Sequence, residues 1–487
     1  MRISSIIPCV RNANGSGHEQ RRQTDDPGKD EVNRMNDFRK TAQEMLEFIR
    51  ISPTCFHAVA NIGRMLEAAG FQQLQEKEEW KLEKGGRYYT ERNDSSVIAF
   101  VIPEKEVGIR GFHMAAAHSD SPCFKIKEKP ELTVEEHYLR LNTEKYGGMI
   151  LSTWLDRPLS VAGRLAVKNG NGIEGRLVNI DRDLCVIPNV AIHMNREMNK
   201  GVEYNPQVDL LPLLADVSFD EYDAHTTYDA QTASENAEEQ PEAVEKPTLV
   251  ALAAETAGVD AETILGEDLF LYTRQEGKMI GAKGEFVLSP RLDDLQSAFA
   301  LTKAFTESTP AEYINLCAVF DNEEVGSGTR QGADSTFLED TLQRITEGLQ
   351  EGHSTYLRWV ADSFLISADN AHAVHPNHPE KADPTNRPYL NGGIVIKYHG
   401  SQKYTTDGIS AARMKDYCER AKVPYQTYAN RSDIAGGSTL GNISTAHVSV
   451  SSVDIGLPQL AMHSAVETAG MKDTEYAVRA LKEFWGE

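Results

Sequence analysis

The sequence predicts an α/β fold interrupted by a β-rich block, and three observations carry that reading. From about residue 286 onward, helical stripes alternate with short apolar strands, the pattern of a sheet covered by helices on both faces. From about 125 to 285 the texture changes to short, turn-punctuated apolar segments such as YLRLNT, LSVAGRLAV and EGRLVNI, which read as strands. Several apolar runs also end abruptly in His, Asp or Glu, as strands do where an open α/β sheet offers its carboxyl edge to a ligand.

The elements follow in order. Residues 1–34 are polar and nearly free of large apolar side chains, so they cannot bury enough surface to offset their ordering entropy and read as a disordered extension. Phe38, Met45, Leu46 and Ile49 share one helical stripe, and a second helix from about Thr54 carries Val59, Ile62, Met65 and Leu66 up to Gly70. RYYTE and SSVIAFVI flank Asn93 and Asp94 as a hairpin. In the β-rich block, residues 223–246 hold seven acidic side chains and one basic, which predicts a flexible, solvated loop. Beyond it, Leu292, Leu295, Phe299 and Phe305 mark a helix, YINLCAVF a strand and FLEDTLQRITEGL a helix. FLISAD, GGIVIKY and HVSVSSVDIG read as strands, and ETAGMKDTEYAVRALKEFW as a C-terminal helix. The organisation predicted is therefore an α/β domain of 35–122 and 286–487, with 123–285 inserted as a second, β-rich domain. No internal repeat is traceable.

Composition narrows the function classes. The 487 residues are 40% hydrophobic and carry a net charge of −23, ordinary for a globular chain with a sizeable core. So acidic a surface argues against nucleic acid or anionic membrane as a partner, because nothing basic is concentrated enough to neutralise phosphates. No apolar run approaches the roughly 18 residues of a membrane-spanning helix, and MRISSIIPCV lacks the layout of a signal peptide. Six cysteines are scattered with no CxxC pair, which suits reduced thiols in a cytoplasm.

The chemistry collects at the ends of the apolar runs. GFHMAAA ends in His118-Ser119-Asp120, YINLCAVF in Asp321-Asn322-Glu323-Glu324, FLIS in Ala368-Asp369, and LPQLAM in His463. Asp293-Asp294 open the helix after Pro290. Each has a plain reading alone: a local hydrogen bond, a solvated pair, a favourable helix start, a satisfied core histidine. Four such runs converging on one edge of one sheet change the weighting. Bringing Asp293, Glu324 and Asp369 together without a cation would force like charges into one pocket, whereas two divalent ions would balance them. A mixed His/carboxylate set suits zinc, and tolerates cobalt or manganese. Two such ions activate water and polarise a carbonyl, and one carboxylate must stay free to move the proton; Glu323, beside Glu324, is the candidate. HExxH, GxxxxGK[ST] and GxSxG are all absent, and GSGTRQG lacks dinucleotide spacing. Cys123 near His118 reads as a structural thiol.

The segments AAHSDSPCFKIK, SPRLDDLQSAF, FDNEEVGSGTRQGADS, SADNAHAVHPNH and AMHSAVETAG stand in the order and spacing of the aspartyl aminopeptidase family of dinuclear zinc metallopeptidases, which the chain resembles from about residue 36 to 487. The resemblance implies that Asp293 bridges two metals, that Glu324 and His463 complete one site, and that His118 and Asp369 complete the other. It implies Glu323 as general base, Asp120 as the group that orients His118, and His372, Lys397 and Tyr404 as substrate contacts. His193 matches a histidine that in the family reaches a neighbouring subunit's active site. The choice of Asp293 over Asp294 rests on the resemblance alone. Carried to the whole molecule, it implies a catalytic domain with an inserted dimerisation domain, built from dimers into a tetrahedral dodecamer that admits short peptides. The family's typical preference is for N-terminal Asp or Glu, and Lys397 is the cation that would recognise them. Aminopeptidases preferring neutral residues and dinuclear N-acyl amino acid deacylases are the alternatives.

Overall fold

The computed structural model describes residues 27–104, 108–217, 248–437 and 439–487; the acidic loop expected at 223–246 lies outside them. Helices α1 (Pro27–Arg50) and α2 (Cys55–Ala68) open the fold, and Phe38, Met45, Ile49, Val59, Ile62 and Leu66 are buried along the stripes the sequence predicts. Helix α1 begins at Pro27, so 27–34, the end of the stretch expected to be disordered, is helical; residues 1–26 lie outside the described residues. Extending an existing helix adds one hydrogen bond per residue without a new nucleus, and proline suits the first turn. Strand β1 (Gln72–Gln73) precedes the hairpin of β2 (Arg87–Arg92) and β3 (Ser96–Val101). Asn93 and Asp94 between them have φ of 60° and 54°, the left-handed pair a tight hairpin needs. Strand β4 (Phe112–His118) follows.

The inserted unit holds β5 (Cys123–Val134), β6 (Tyr138–Tyr146), β7 (Leu159–Asn169), β8 (Gly172–Asn179), α3 (Pro206–Asp209), β9 (Leu213–Asp216), α4 (Leu249–Ala257) and β10 (Ile264–Thr273). Its six strands form one antiparallel sheet in the order β8-β7-β10-β5-β6-β9. Phe124, Leu141, Trp154, Leu159 and Leu269 give it a core of its own. This sheet ends at Thr273. Strand β11 (Lys278–Ile280) pairs instead with β12 (Phe286–Ser289), so the last stretch of the expected 123–285 block belongs with the other unit. The short 278–289 hairpin finds its next partner there and not in the insert.

The remainder supplies α5 (Leu292–Thr306), β13 (Ile314–Phe320), α6 (Phe337–Gly348), α7 (His353–Ala361), β14 (Phe364–Ala368) and β15 (Ala371–His372). Then come β16 (Ile394–Tyr398), α8 (Gly408–Ala421), β17 (Tyr425–Ala429), α9 (Leu440–His447), β18 (Ser451–Gly456), β19 (Pro458–Leu460), β20 (Glu467–Gly470) and α10 (Asp473–Trp485). Nine strands form the main sheet, ordered β1-β2-β3-β13-β4-β14-β18-β16-β17. Its centre, β13-β4-β14-β18, is parallel. Along β4, Ala115 and Ala117 face a core with Leu295, Phe299 and Phe484, while Phe112, Met114 and Ala116 face Phe337, Leu342 and Trp359. Alternation buried on both sides is what a doubly covered sheet requires.

A third, five-stranded sheet, β11-β12-β20-β19-β15, was not read from the sequence. ETAG, taken as the start of the last helix, is its strand β20, paired antiparallel with β12 (Ser289 opposite Glu467). The run before His463 is its strand β19, so only three of the four predicted runs lie in the main sheet. The fourth reaches the same edge because β18 leads through Leu457 directly into β19.

Candidate metal centre

Three neighbouring parallel strands deliver the first residues. His118 is the last residue of β4, paired in register with Phe320 of β13, and is buried. After β13 the chain turns at Asn322, in the left-handed region with φ 64°, which asparagine tolerates better than most residues. A single 3₁₀ turn, Glu323–Val325, then presents Glu323 and Glu324. Asp369 follows β14 directly. Asp293 and Asp294 stand at the non-helical start of α5, joined by a cis peptide bond. His463 comes from the loop between β19 and β20.

These side chains meet. His118 Nε2 is 3.5 Å from Asp293 Oδ1 and 3.9 Å from Asp369 Oδ1. His463 Nε2 is 3.5 Å from Asp293 Oδ2 and 3.5 Å from Glu324 Oε2. Asp293 therefore turns one oxygen to each histidine. Asp294 does not: its Oδ2 accepts the backbone N–H of His118 at 3.1 Å. Asp294 still stands with His118, Asp293 and Asp369 in one cluster; what distinguishes Asp293 is that it faces both histidines.

The histidine tautomers follow from their other contacts. His118 Nδ1 lies 3.1 Å from the Asp120 carbonyl oxygen and 3.3 Å from Asp120 Oδ1. His463 Nδ1 lies 2.9 Å from the Gly148 carbonyl oxygen. All three partners only accept, so each Nδ1 carries a proton and each ring turns its Nε2 toward carboxylates. The Nε2···O separations of 3.5 Å exceed the about 2.7–3.2 Å of an ordinary N–H···O bond and leave room for a cation that would displace the Nε2 proton. Ligands held at about 2.0–2.2 Å around a tetrahedral zinc are themselves about 3.3–3.6 Å apart, and the three 3.5 Å spacings here match. Asp293 Oδ1, Asp294 Oδ1 and Glu324 Oε1 are buried without a hydrogen-bond partner, as oxygens reserved for a cation would be. The residues fit a metal.

The electrostatics agree. Burial pushes Glu324 well above the usual carboxylate range, and the charge of Asp293 adds to it. Burial also raises Asp294. Glu323 is pushed up to about 7, first by burial and then by Asp369, Asp120 and Asp293, with His118 opposing. For Asp293 burial again favours the neutral form, but His118 and His463 outweigh it and hold the carboxyl far below its ordinary value. Burial alone would lower His463, yet Asp293 and Glu324 raise it to about 10. Protons and metal ions compete for such oxygens and nitrogens, so cation binding at such a site depends on pH.

A shell of hydrogen bonds fixes these residues. The Asp120 carboxylate accepts the backbone N–H groups of Glu323 and Glu324, both at 3.1 Å, and the Tyr146 hydroxyl at 2.7 Å. Glu467, buried at the start of β20, accepts the N–H of Asp293 at 3.0 Å and of His463 at 2.7 Å, one on each oxygen. Lys397, buried on β16, donates to Asp369 Oδ2 at 3.3 Å and lies 5.5 Å from the Tyr404 ring centre. His372, on β15, sets its ring against Tyr428 and borders a surface pocket together with Gln459 and Ala461. His193 is exposed on the loop between β8 and α3, away from these contacts. Glu467 and Tyr146 were missed by sequence reasoning. Glu467 offered a signal, four residues after His463 in AMHSAVETAG; Tyr146 offered none.

Comparisons with known proteins show the family. The Aminopeptidase I zinc metalloprotease (M18) family matches residues 48–485. The chain is 46% identical over 448 residues to a probable M18 family aminopeptidase 2 of Clostridium novyi, covering 92% of this chain and 98% of that protein. Among solved structures, the Ape4 chain of a complex with Nbr1 has a TM-score of 0.84 at 36% identity, covering 93% of this chain and 86% of that one. A Saccharomyces cerevisiae mApe1 dodecamer has a TM-score of 0.75 at 26% identity, covering 92% and 96%. A cluster of His, Asp and Glu at the carboxyl edge of a doubly covered sheet, in a chain matched almost end to end, leads to one assignment: the chain belongs to the M18 family of zinc metalloproteases and is a metallo-aminopeptidase.

Proposed function

We propose that this aminopeptidase works with two divalent ions, zinc above all, held by His118 and Asp369 on one side, Glu324 and His463 on the other, and Asp293 between. The observation that carries this is Asp293, whose two oxygens each stand 3.5 Å from a different histidine. Once bound, the ions supply Lewis acidity and an activated water. Glu323 takes the water's proton and returns it to the leaving amine; burial raises its carboxylate to about 7, near neutrality. Asp120 holds the His118 ring in its tautomer. Elemental analysis should find two divalent ions per chain, and chelation should abolish peptide hydrolysis; one ion or none with full activity overturns the dinuclear reading.

The substrates proposed are short peptides with an N-terminal Asp or Glu, recognised by Lys397 with Tyr404 and His372. A second reading, preference for a neutral residue, is favoured by the Lys397–Asp369 pair, since that cation already has a carboxylate. Rates on Asp-, Glu-, Leu- and Ala-peptides separate the two. Lys397→Met should cost acidic substrates about 2–5 kcal/mol by leaving a buried carboxylate unpaired, and spare neutral ones. Equal slowing of all four points to Lys397 acting through Asp369 instead.

The assembly proposed is a homo-oligomer, a tetrahedral dodecamer of twelve chains built from dimers, in which the neighbour's His193 completes each site. Val190, Ile192 and Met194, exposed on the loop that carries His193, support a surface meant to be covered. Sedimentation should give a mass far above 54.0 kDa, and His193→Ala should impair catalysis. A cytoplasmic location fits the free Cys55, Cys123, Cys185, Cys317 and Cys418. No helix among the described residues is long and apolar enough to cross a membrane.

A further inference from the structure

Segment 146–153 belongs to the inserted unit, yet its contacts run to both metal-site histidines. The Tyr146 hydroxyl donates to Asp120 Oδ2 at 2.7 Å, and Asp120 in turn meets His118 Nδ1. The same hydroxyl accepts Asn322 Nδ2 at 2.9 Å, beside the Glu323–Glu324 turn. Two residues on, the Gly148 carbonyl takes the Nδ1 proton of His463. The Ile150 N–H donates to the His463 carbonyl at 2.9 Å, and the Ala465 N–H to Thr153 Oγ1 at 2.9 Å. Between them, Gly147 has φ +79°, and a Cβ there would come within 3.2 Å of the Glu324 Cβ. The segment thus crosses close over Glu324, reaching His463 directly and His118 through Asp120.

We infer that segment 146–153 is a positioning element of the metal centre: through Tyr146 and Gly148 the inserted unit sets the orientation of His118 and His463 together. The inference rests on the dinuclear reading. Its physical basis is that a metal-ligating imidazole binds well only when its other nitrogen is anchored in the right tautomer and direction. Here both anchors trace to one short piece of chain, fixed to the inserted sheet by the Tyr146 ring against Phe270 at 5.6 Å. A shift of that sheet moves both anchors at once.

A merely structural weld would change melting temperature and leave metal affinity alone, so the test reads the metal. Metal-free full-length protein is titrated with Co²⁺ and followed by visible absorption, for wild type, Tyr146→Phe, Thr153→Val and the exposed control Tyr138→Phe. Wild type and the control should take up two equivalents with the same spectrum. Tyr146→Phe keeps the ring and loses the hydroxyl; it should weaken cobalt binding about 10–100-fold and alter the spectrum. Its kcat should fall while KM stays within about twofold. Thr153→Val should give a smaller shift of the same kind, and carries the test if Tyr146→Phe does not fold. Wild-type affinity and spectrum in whichever variants fold overturn the inference, whatever their melting temperatures. Failure of wild type itself to bind cobalt overturns the dinuclear reading, and the inference with it.

Discussion

His113 and His118 lie five positions apart on the same strand, β4, and both are buried. Their surroundings make them different chemical objects. His113, at the amino end, is stacked between Tyr313, with ring centres 3.6 Å apart, and Phe484, at 4.6 Å. Burial lowers its pKa to about 3, and Arg413 and Arg110 add to the effect. His118, at the carboxyl end, faces Asp120, Asp293 and Asp369, which outweigh the cost of burial and raise its pKa. One edge of the sheet is closed by the aromatic end of α10; at the other, loops bring carboxylates together. Residue type supplied a histidine in both places. The sheet edge decided which one could bind a metal.

The sharpest contrast comes from replacing each in turn. His118→Phe should lose a metal ion and essentially all peptidase activity, whereas His113→Phe should keep both, by elemental analysis and dipeptide assay. Equal losses would mean that β4 is sensitive to any histidine replacement and the comparison is empty. Next in size, Glu323→Gln preserves shape and leaves Glu324 in place, so kcat should drop about 10²–10⁴-fold with the metal retained. Near-normal kcat would remove Glu323 as the base.

A smaller effect is expected at Glu467, whose two oxygens hold the N–H groups of Asp293 and His463. Glu467→Gln turns one acceptor into a donor pointed at an N–H. Metal affinity should fall about 10–100-fold, as for other groups that orient ligands. An unchanged affinity in a chelator competition would assign Glu467 to folding alone.

The smallest effect is on stability at His113. Its folded pKa of about 3 lies below the about 6.5 of an unperturbed histidine, so between those pH values the unfolded chain binds more protons and stability rises with pH. His113→Phe should therefore narrow its stability gap to wild type, or overtake it, as pH falls from 7 toward 5, read by denaturant unfolding. A gap that does not change with pH would place the histidine's titration elsewhere.

Much of the site was legible because strand ends are legible. His118, Glu324 and Asp369 each terminate an apolar run, and a parallel sheet puts its carboxyl ends along one edge. His463 was legible as a run-ending residue, but its run forms β19 of a separate small sheet, since a three-residue strand has no pattern that tells one sheet from another. The ETAG strand was hidden for the same reason.

What the sequence determined by itself was the alternation of elements, the β-rich interruption and the residue types gathered at the sheet edge, because these depend on local periodicity and on motifs of neighbouring residues. The tertiary structure alone decided three further things. Asp293 and not Asp294 lies between the histidines, although both share the same local sequence. Glu467 clamps two ligand backbones at once, Asp293 lying 174 positions away in the chain. The insert reaches into the site through Tyr146, which meets Asn322 across 176 positions. Each depends on where a side-chain oxygen ends up relative to a distant backbone group, and that is set by how the packed sheets meet.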